Sequence, residues 1–214
     1  MTRLILIRHG ESAANLARVF AGQTDVPLTE KGHAQAELTA AYVAAHYTVD
    51  AVYASDLQRA YETAVLAAAP HGLPVRPEPA FREIYAGEWE NRPFDEGAVV
   101  FEGDYATWRQ DIGHSRCTAG ESFAELQRRV CAAARRIAKR QEGQTVLIGT
   151  HATPIRALEC AWREVGADGA KDVPFVANAS VTVVEYEGDT VKILLRGYHD
   201  HHGELSTGLP RGVV

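Results

Sequence analysis

Cysteine is scarce in this chain. Three thiols, Cys117, Cys131 and Cys160, occur in 214 residues, an odd number without metal-ligand spacing. A disulfide framework is therefore not expected, and the chain fits a reducing cytoplasm. A basic excess is missing too: 22 Lys and Arg stand against 28 Asp and Glu, a formal net charge of −6. A nucleic-acid or membrane surface needs clustered cations and is not expected, and an anionic ligand would need a locally positive site. Long apolar runs are absent near the N-terminus, where Leu4–Ile7 is cut off by Arg8, too short for a signal-peptide core or a membrane span. Neither an internal repeat nor a low-complexity tract is present. What remains, 46% hydrophobic and 23% charged residues, is an ordinary globular composition. The length fits one domain over 1–214, with or without an insertion.

Periodicity then alternates strand with helix. The continuous apolar run over 3–8 predicts a strand covered on both faces. Residues 32–47 carry Leu38, Tyr42 and Ala45 at helical spacing, followed by a short strand over 50–54. Ser55-Asp56-Leu57-Gln58 has the pattern of a capping box opening a helix to about Ala69, and Ser122-Phe123-Ala124-Glu125 has the same pattern before a helix that Gly143 closes. The run 145–149 is a second buried strand, with Thr153 and Pro154 read as N-cap and first residue of the next helix. Two strands around Glu187-Gly188-Asp189 make a hairpin. The predicted fold class is α/β: a three-layer sandwich with a mainly parallel mixed sheet between helices. A stretch over about 84–120, rich in Trp89, Phe94, Phe101, Tyr105 and Trp108, breaks the rhythm and predicts a compact lid-like insertion. The Gly-rich tail from about 203 to 214 is expected to be flexible.

Ligands of open α/β sheets sit beyond the carboxyl ends of strands. Arg8 and His9 end the first strand there, His151 follows the strand 145–149, and Arg59 lies in the first turns of the helix after the strand 50–54. Two imidazoles and two guanidiniums can thus meet at one sheet edge, with helix N-termini expected near Gly10 and Ala152. Such a cluster suits a phosphate, and a neutral imidazole in it can attack phosphorus.

RHGES at 8–12, with Asn15, Gly22-Gln23, Asp25, Pro27-Leu28-Thr29 and Gly32, resembles the histidine phosphatase superfamily, the phosphoglycerate-mutase-like group. SDLQRAYETA (55–64), REIYAGEWEN (82–91), AGES (119–122) and THATPIRAL (150–158) continue the resemblance in the family's order. The resemblance implies that His9 is the nucleophile that becomes a phosphohistidine, that Arg8, Arg59 and His151 hold phosphate oxygens, and that Glu83 is the acid for the leaving group. Asn15, Gln23, Thr24 and Ala152 would contact substrate or phosphate. No metal and no cofactor are implied. The partner is a small phosphorylated metabolite, with no nucleic acid and no membrane, acting in the cytoplasm; oligomeric state stays open.

The sequence departs from the family at Thr153, in place of a second small residue, and at Ala14, where mutases carry tryptophan. The string after Glu83 resembles the phosphatase branch, and the lid is acidic and aromatic with Arg92 as its only cation between 83 and 108. A phosphatase acting on an ester with an uncharged or hydrophobic leaving group is the preferred expectation. The alternatives are a phosphoglycerate mutase dependent on 2,3-bisphosphoglycerate and a non-catalytic phospho-ligand-binding protein on the same fold. The tract Tyr198-His199-Asp200-His201-His202 is read as a solvated turn rather than a metal site.

Overall fold

The computed structural model describes residues 1–207. Six strands form one sheet in the order β3-β2-β4-β1-β5-β6: β1 Thr2–Arg8, β2 Ala51–Ala54, β3 Val75–Pro77, β4 Thr145–Thr150, β5 Val181–Glu187 and β6 Thr190–Tyr198. The first four strands in that order run parallel, while β5 and its hairpin partner β6 are antiparallel. Among the described residues seven α-helices accompany them: α1 Ala13–Ala17, α2 Glu30–His46, α3 Gln58–Ala68, α4 Phe94–Val100, α5 Glu102–Gln110, α6 Phe123–Arg140 and α7 Ala152–Trp162.

The period of a strand divides β1 between two cores. Leu4 and Leu6 pack with Phe123, Leu126 and Ile137 of α6 and Ile155 and Leu158 of α7. Ile5 and Ile7 face the other way, onto Val43 of α2 and Ala64 and Ala67 of α3. All four β1 side chains are fully buried, each contributing about 1.5–3 kcal/mol of apolar burial. That explains the unbroken apolar run: a strand covered on both faces has no polar side to show. The expected three-layer α/β sandwich is present.

Register sets where chemistry can occur. Arg8 pairs with Thr150 across β1 and β4, and Ala54 pairs with Gly149 across β2 and β4. The residues just past these ends, His9, His151 and Ser55, therefore emerge side by side. His9 N–H still donates to Thr150 O at 2.9 Å, and Ser55 N–H to Gly149 O at 2.9 Å. The turn after His9 lies against the start of α2, where a Cβ on Gly10 would meet Gly32 O at 2.3 Å. Two glycines thus let backbone meet backbone there.

The segment 84–120 folds as α4, α5 and short 3₁₀ turns over the α6–α7 face. Its centre is Trp89, fully buried, with Phe20, Phe101, Tyr105 and Trp108 around it at centroid distances of 5.3–6.1 Å. Trp89 Nε1–H donates to Thr118 Oγ1 at 3.0 Å, so the ring is buried without an orphaned donor.

Four local expectations need correction. Helix α3 starts at Gln58 with Leu57 at its N-cap position and no side-chain cap of its own. Asp25 Oδ1, from a distant loop, accepts from Gln58 N–H at 2.7 Å instead, while Ser55 Oγ accepts from Leu57 N–H at 3.3 Å. Helix α7 starts at Ala152 with His151 as N-cap, two residues before the expected Thr153. No helix begins at Gly10; its N–H donates to Thr63 Oγ1 at 3.1 Å, and the short α1 starts at Ala13 behind a Ser12–Asn15 capping box. The tail expected to be flexible from about 203 is described through Thr207, with a 3₁₀ turn over Asp200–Leu205, while 208–214 lie outside the described residues. His202 is buried, and His201 and His202 both approach Thr39 Oγ1 through Nε2 at 2.9 Å, so this tract packs on α2 rather than forming a solvated turn.

Candidate active site

A cavity opens at the carboxyl edge of β1, β2 and β4. Counted to its open mouth it spans about 760 Å³ and is lined at its base by Arg8, His9, Arg59, Asn15, Glu83, Ala152 and Thr153. His9 and His151 lie together, their ring centroids 5.1 Å apart in an edge-on arrangement. Both are almost wholly buried.

The tautomer of His9 follows from its neighbour. Its Nδ1 lies 2.7 Å from Gly10 O, an acceptor only, so Nδ1 carries the proton and Nε2 keeps its lone pair. Burial, followed by the nearby Arg59 and Arg8 cations, holds its pKa well below the usual histidine value. The ring is therefore neutral at neutral and mildly acidic pH, with a lone pair on Nε2. His151 is likewise pushed well down, by burial first and then by Arg59 and His9. Its Nε2 meets Ser55 Oγ at 2.8 Å, while Nδ1 is buried without a partner among the described residues.

The two arginines are held by carbonyls rather than by carboxylates. Arg8 donates to Val176 O at 2.5 Å, and Arg59 donates to Gly22 O at 2.8 Å and Thr24 O at 3.0 Å. Their Nε–H groups are buried and unpaired among the described residues. Burial lowers the Arg8 pKa to about 10 and that of Arg59 in the same direction, with Glu83 opposing both shifts. These guanidiniums stay charged at neutral pH. Two fixed cations, bare buried donors and the N-terminus of α7 make a site for a tetrahedral oxyanion.

Glu83 stands opposite. Ile84 N–H donates to its Oε1 at 2.8 Å and Thr153 N–H approaches Oε2 at 3.4 Å. Its main chain is braced from behind by Arg129, which donates to Ala80 O, Arg82 O and Glu83 O at 2.8 Å and to both oxygens of Glu121. The carboxyl group faces the cavity on a rigid loop and can exchange a proton with a ligand.

All five expected core residues converge: Arg8, His9, Arg59 and Glu83 line the cavity, and His151 stands beside His9. Asn15 is there too, with Oδ1 engaged by Ser12 and Asn178, which leaves its amide hydrogens for a ligand. Gln23 and Thr24 do not line the cavity, contrary to expectation. Gln23 Nε2 donates to Glu83 O at 3.1 Å and Thr24 Oγ1 to Glu90 Oε2 at 2.9 Å, so both support the wall from outside. Gly22, at φ +51, makes the turn that presents its own carbonyl and that of Thr24 to Arg59. Ser55 and Asn178 escaped the sequence reading, as did the part of the aromatic wall supplied by Phe20 and Phe175. Ser55 was hidden by its resemblance to a helix cap; Asn178 lies in a stretch without a motif.

The upper wall is apolar: Val19, Phe20, Ala21, Ile84, Ala86, Phe94, Trp108 and Phe175. The lid carboxylates Glu88, Asp95, Glu96, Glu102 and Asp104 are exposed on its outside. Beyond Arg8, Arg59 and Glu83 at the base, no charged side chain among the described residues lines the cavity.

Comparison with known proteins agrees with this geometry. The sequence profile of the histidine phosphatase superfamily (branch 1) matches residues 4–198. Phosphoserine phosphatase 1 of Hydrogenobacter thermophilus is 33% identical over 206 residues, 96% of each chain. The adenosylcobalamin/alpha-ribazole phosphatase of Salmonella typhimurium is 36% identical over 149 residues, 70% of this chain and 73% of that one. Among solved structures, YhfR of Bacillus stearothermophilus superposes with a TM-score of 0.89 at 32% identity, covering 94% of this chain and all of that one.

Proposed function

The chain belongs to the histidine phosphatase superfamily (branch 1) and is a phosphatase of it; from that premise we propose that it hydrolyses small phosphomonoesters through a phosphohistidine on His9, without a metal. The observation that carries this reading is the His9 ring, fixed by Gly10 O with a bare Nε2 and kept neutral beside two buried cations.

In the first step His9 Nε2 forms a bond to phosphorus as the ester P–O bond breaks. Charge on the equatorial oxygens is met by Arg8, Arg59, the α7 N-terminus and His151. Glu83, protonated at that moment, gives its proton to the leaving alkoxide. In the second step Glu83 takes a proton from water, the oxygen attacks phosphorus, and the P–N bond breaks to return neutral His9 and inorganic phosphate. Metal independence is supported by the donor set: guanidiniums and imidazoles hold the cavity base, and its lone carboxylate is Glu83.

The preferred substrate class is an ester whose leaving group is uncharged and apolar or aromatic. Phe20, Phe94, Trp108 and Phe175 would cover about 1.5–3 kcal/mol of such a group per well-buried side chain or ring. A glycerate carboxylate or an amino-acid head would find no counter-charge on that wall. The cytoplasm is the proposed site of action, supported by three free cysteines, two of them buried.

An assay with an aryl phosphate at mildly acidic pH in the presence of EDTA tests the reading. Release of phosphate is expected, and none from His9→Ala. Loss of activity on chelation overturns metal independence; a His9→Ala protein at the wild-type rate overturns the nucleophile.

A further inference from the structure

The turn that carries His9 is gripped from behind by two buried amides. Asn178 Nδ2 lies 3.1 Å from His9 O, 3.3 Å from Gly10 O and 3.2 Å from Asn15 Oδ1. Gln35, fully buried on α2, accepts from Glu11 N–H at 2.9 Å through Oε1. Each amide has its other end on the same segment of chain. Thr207 Oγ1–H donates to Asn178 Oδ1 at 3.2 Å, and Gln35 Nε2 donates to Leu205 O at 2.7 Å.

That segment is anchored by its histidines. Thr39 Oγ1 lies 2.7 Å from Ala179 O and 3.0 Å from Gln35 O. Its single proton is spent on a carbonyl, so His201 and His202 must approach it as Nε2–H donors, with Nδ1 bare on both rings. Tyr42 stacks on His201 at 4.8 Å. Ala179, whose carbonyl Thr39 holds, donates its own N–H to His9 O at 3.1 Å.

We infer that the segment His199–Thr207 is a clasp that positions the nucleophile, with Asn178 and Gln35 as the positioning residues through which it acts. The inference rests on the reading of His9 as nucleophile. The link to chemistry is Gly10 O: it is the acceptor that orients the His9 ring at 2.7 Å, and Asn178 addresses the same oxygen. Thr207 fixes which way the Asn178 amide faces, so that its N–H groups and not its oxygen meet the carbonyls of the turn. Release of the clasp lets the turn shift and carries the Nε2 lone pair off the line of attack, while the arginines that bind phosphate stay where Val176, Gly22 and Thr24 hold them. The expected signature is therefore lost turnover with retained binding. Misplacement by about 1 Å costs on the order of 10²-fold in rate.

Full-length Asn178→Ala, Thr207→Val, Thr207→Ser and His9→Ala proteins are compared on one aryl phosphate, with the folded fraction measured by thermal melting. Asn178→Ala is expected to lower kcat by roughly 30–100-fold and Thr207→Val by about three- to tenfold, with KM within about twofold in both. Thr207→Ser restores kcat, because it restores the hydroxyl. A Thr207→Val protein with wild-type kcat overturns the clasp, as does a fall in kcat that only follows the folded fraction or comes with an equal rise in KM. His9→Ala separates the two readings. If it turns over like wild type, the nucleophile reading has failed; if it is dead while the clasp variants are normal, the clasp alone has failed.

Discussion

The two ends of the cavity are built on opposite plans. The phosphate end draws Arg8, His9, Ser55, Arg59 and His151 from three strand ends and a helix, far apart in sequence, and seats each by hydrogen bonds to backbone or neighbouring side chains. The leaving-group end comes largely from the segment 84–120, with Phe20 and Phe175, and relies on ring packing. Phe94 packs edge-on against Phe20 at 4.6 Å, and Phe175 is backed by the Arg156 guanidinium at 4.5 Å. Hydrogen bonds are directional and fix charge to a fraction of an ångström, which phosphoryl transfer needs. Apolar contact is non-directional and tolerates many shapes. One end is therefore suited to a single reaction and the other to a class of substrates.

Glu83→Gln separates chemistry from binding most strongly. It is expected to lower kcat by about 10²–10⁴-fold on an alkyl phosphate and much less on an aryl phosphate, whose leaving group needs no proton; equal losses on both would remove Glu83 as the acid. Phe94→Ala attacks the other end. A rise in KM of about tenfold for a bulky aryl ester is expected from lost ring burial, with kcat and inhibition by inorganic phosphate nearly unchanged. A change in phosphate inhibition would mean that the two ends are not separable.

Acid tests the buried imidazoles. Burial lowers the pKa values of His201 and His202 from 6.5 to about 4. The unfolded chain then takes up protons at a higher pH than the folded one, so stability present above about pH 6.5 is lost as the pH falls toward 4. The melting temperature should drop over that window, and His202→Gln should flatten the profile; a profile identical to wild type would separate the tract from acid stability. Smallest is Ser122→Ala, which removes the capping box of α6 at a residue that does not line the cavity. About 1 kcal/mol is expected, a fall of about 2–4 °C in melting temperature, with kcat and KM unchanged.

Much of this was legible from residue order. The apolar run of β1, the capping box at Ser122 and the hairpin at Gly188 are local signals, and their physics is local. Misreadings gathered around the site. Gln58 N–H at the start of α3 is capped by Asp25 rather than Ser55, because a tertiary partner replaced the local one; α7 starts with His151 rather than Thr153 at its N-cap, and Ser55 Oγ meets His151 Nε2. Gln23 and Thr24 share a motif with site residues, yet their side chains turn outward to hold Glu83 and Glu90.

By itself the sequence determined the layers, the strand ends that bear Arg8, His9 and His151, and the kinds of groups that would meet there, since periodicity and side-chain chemistry are properties of the chain. Only the tertiary structure decided that His9 is a neutral Nδ1–H tautomer, that the lid turns Phe94 and Trp108 to the cavity and most of its acids outward, and that Asn178 and the tract ending at Thr207 stand behind His9. Those outcomes depend on desolvation and on hydrogen-bond partners as many as 170 residues apart, and neither exists until the chain has folded.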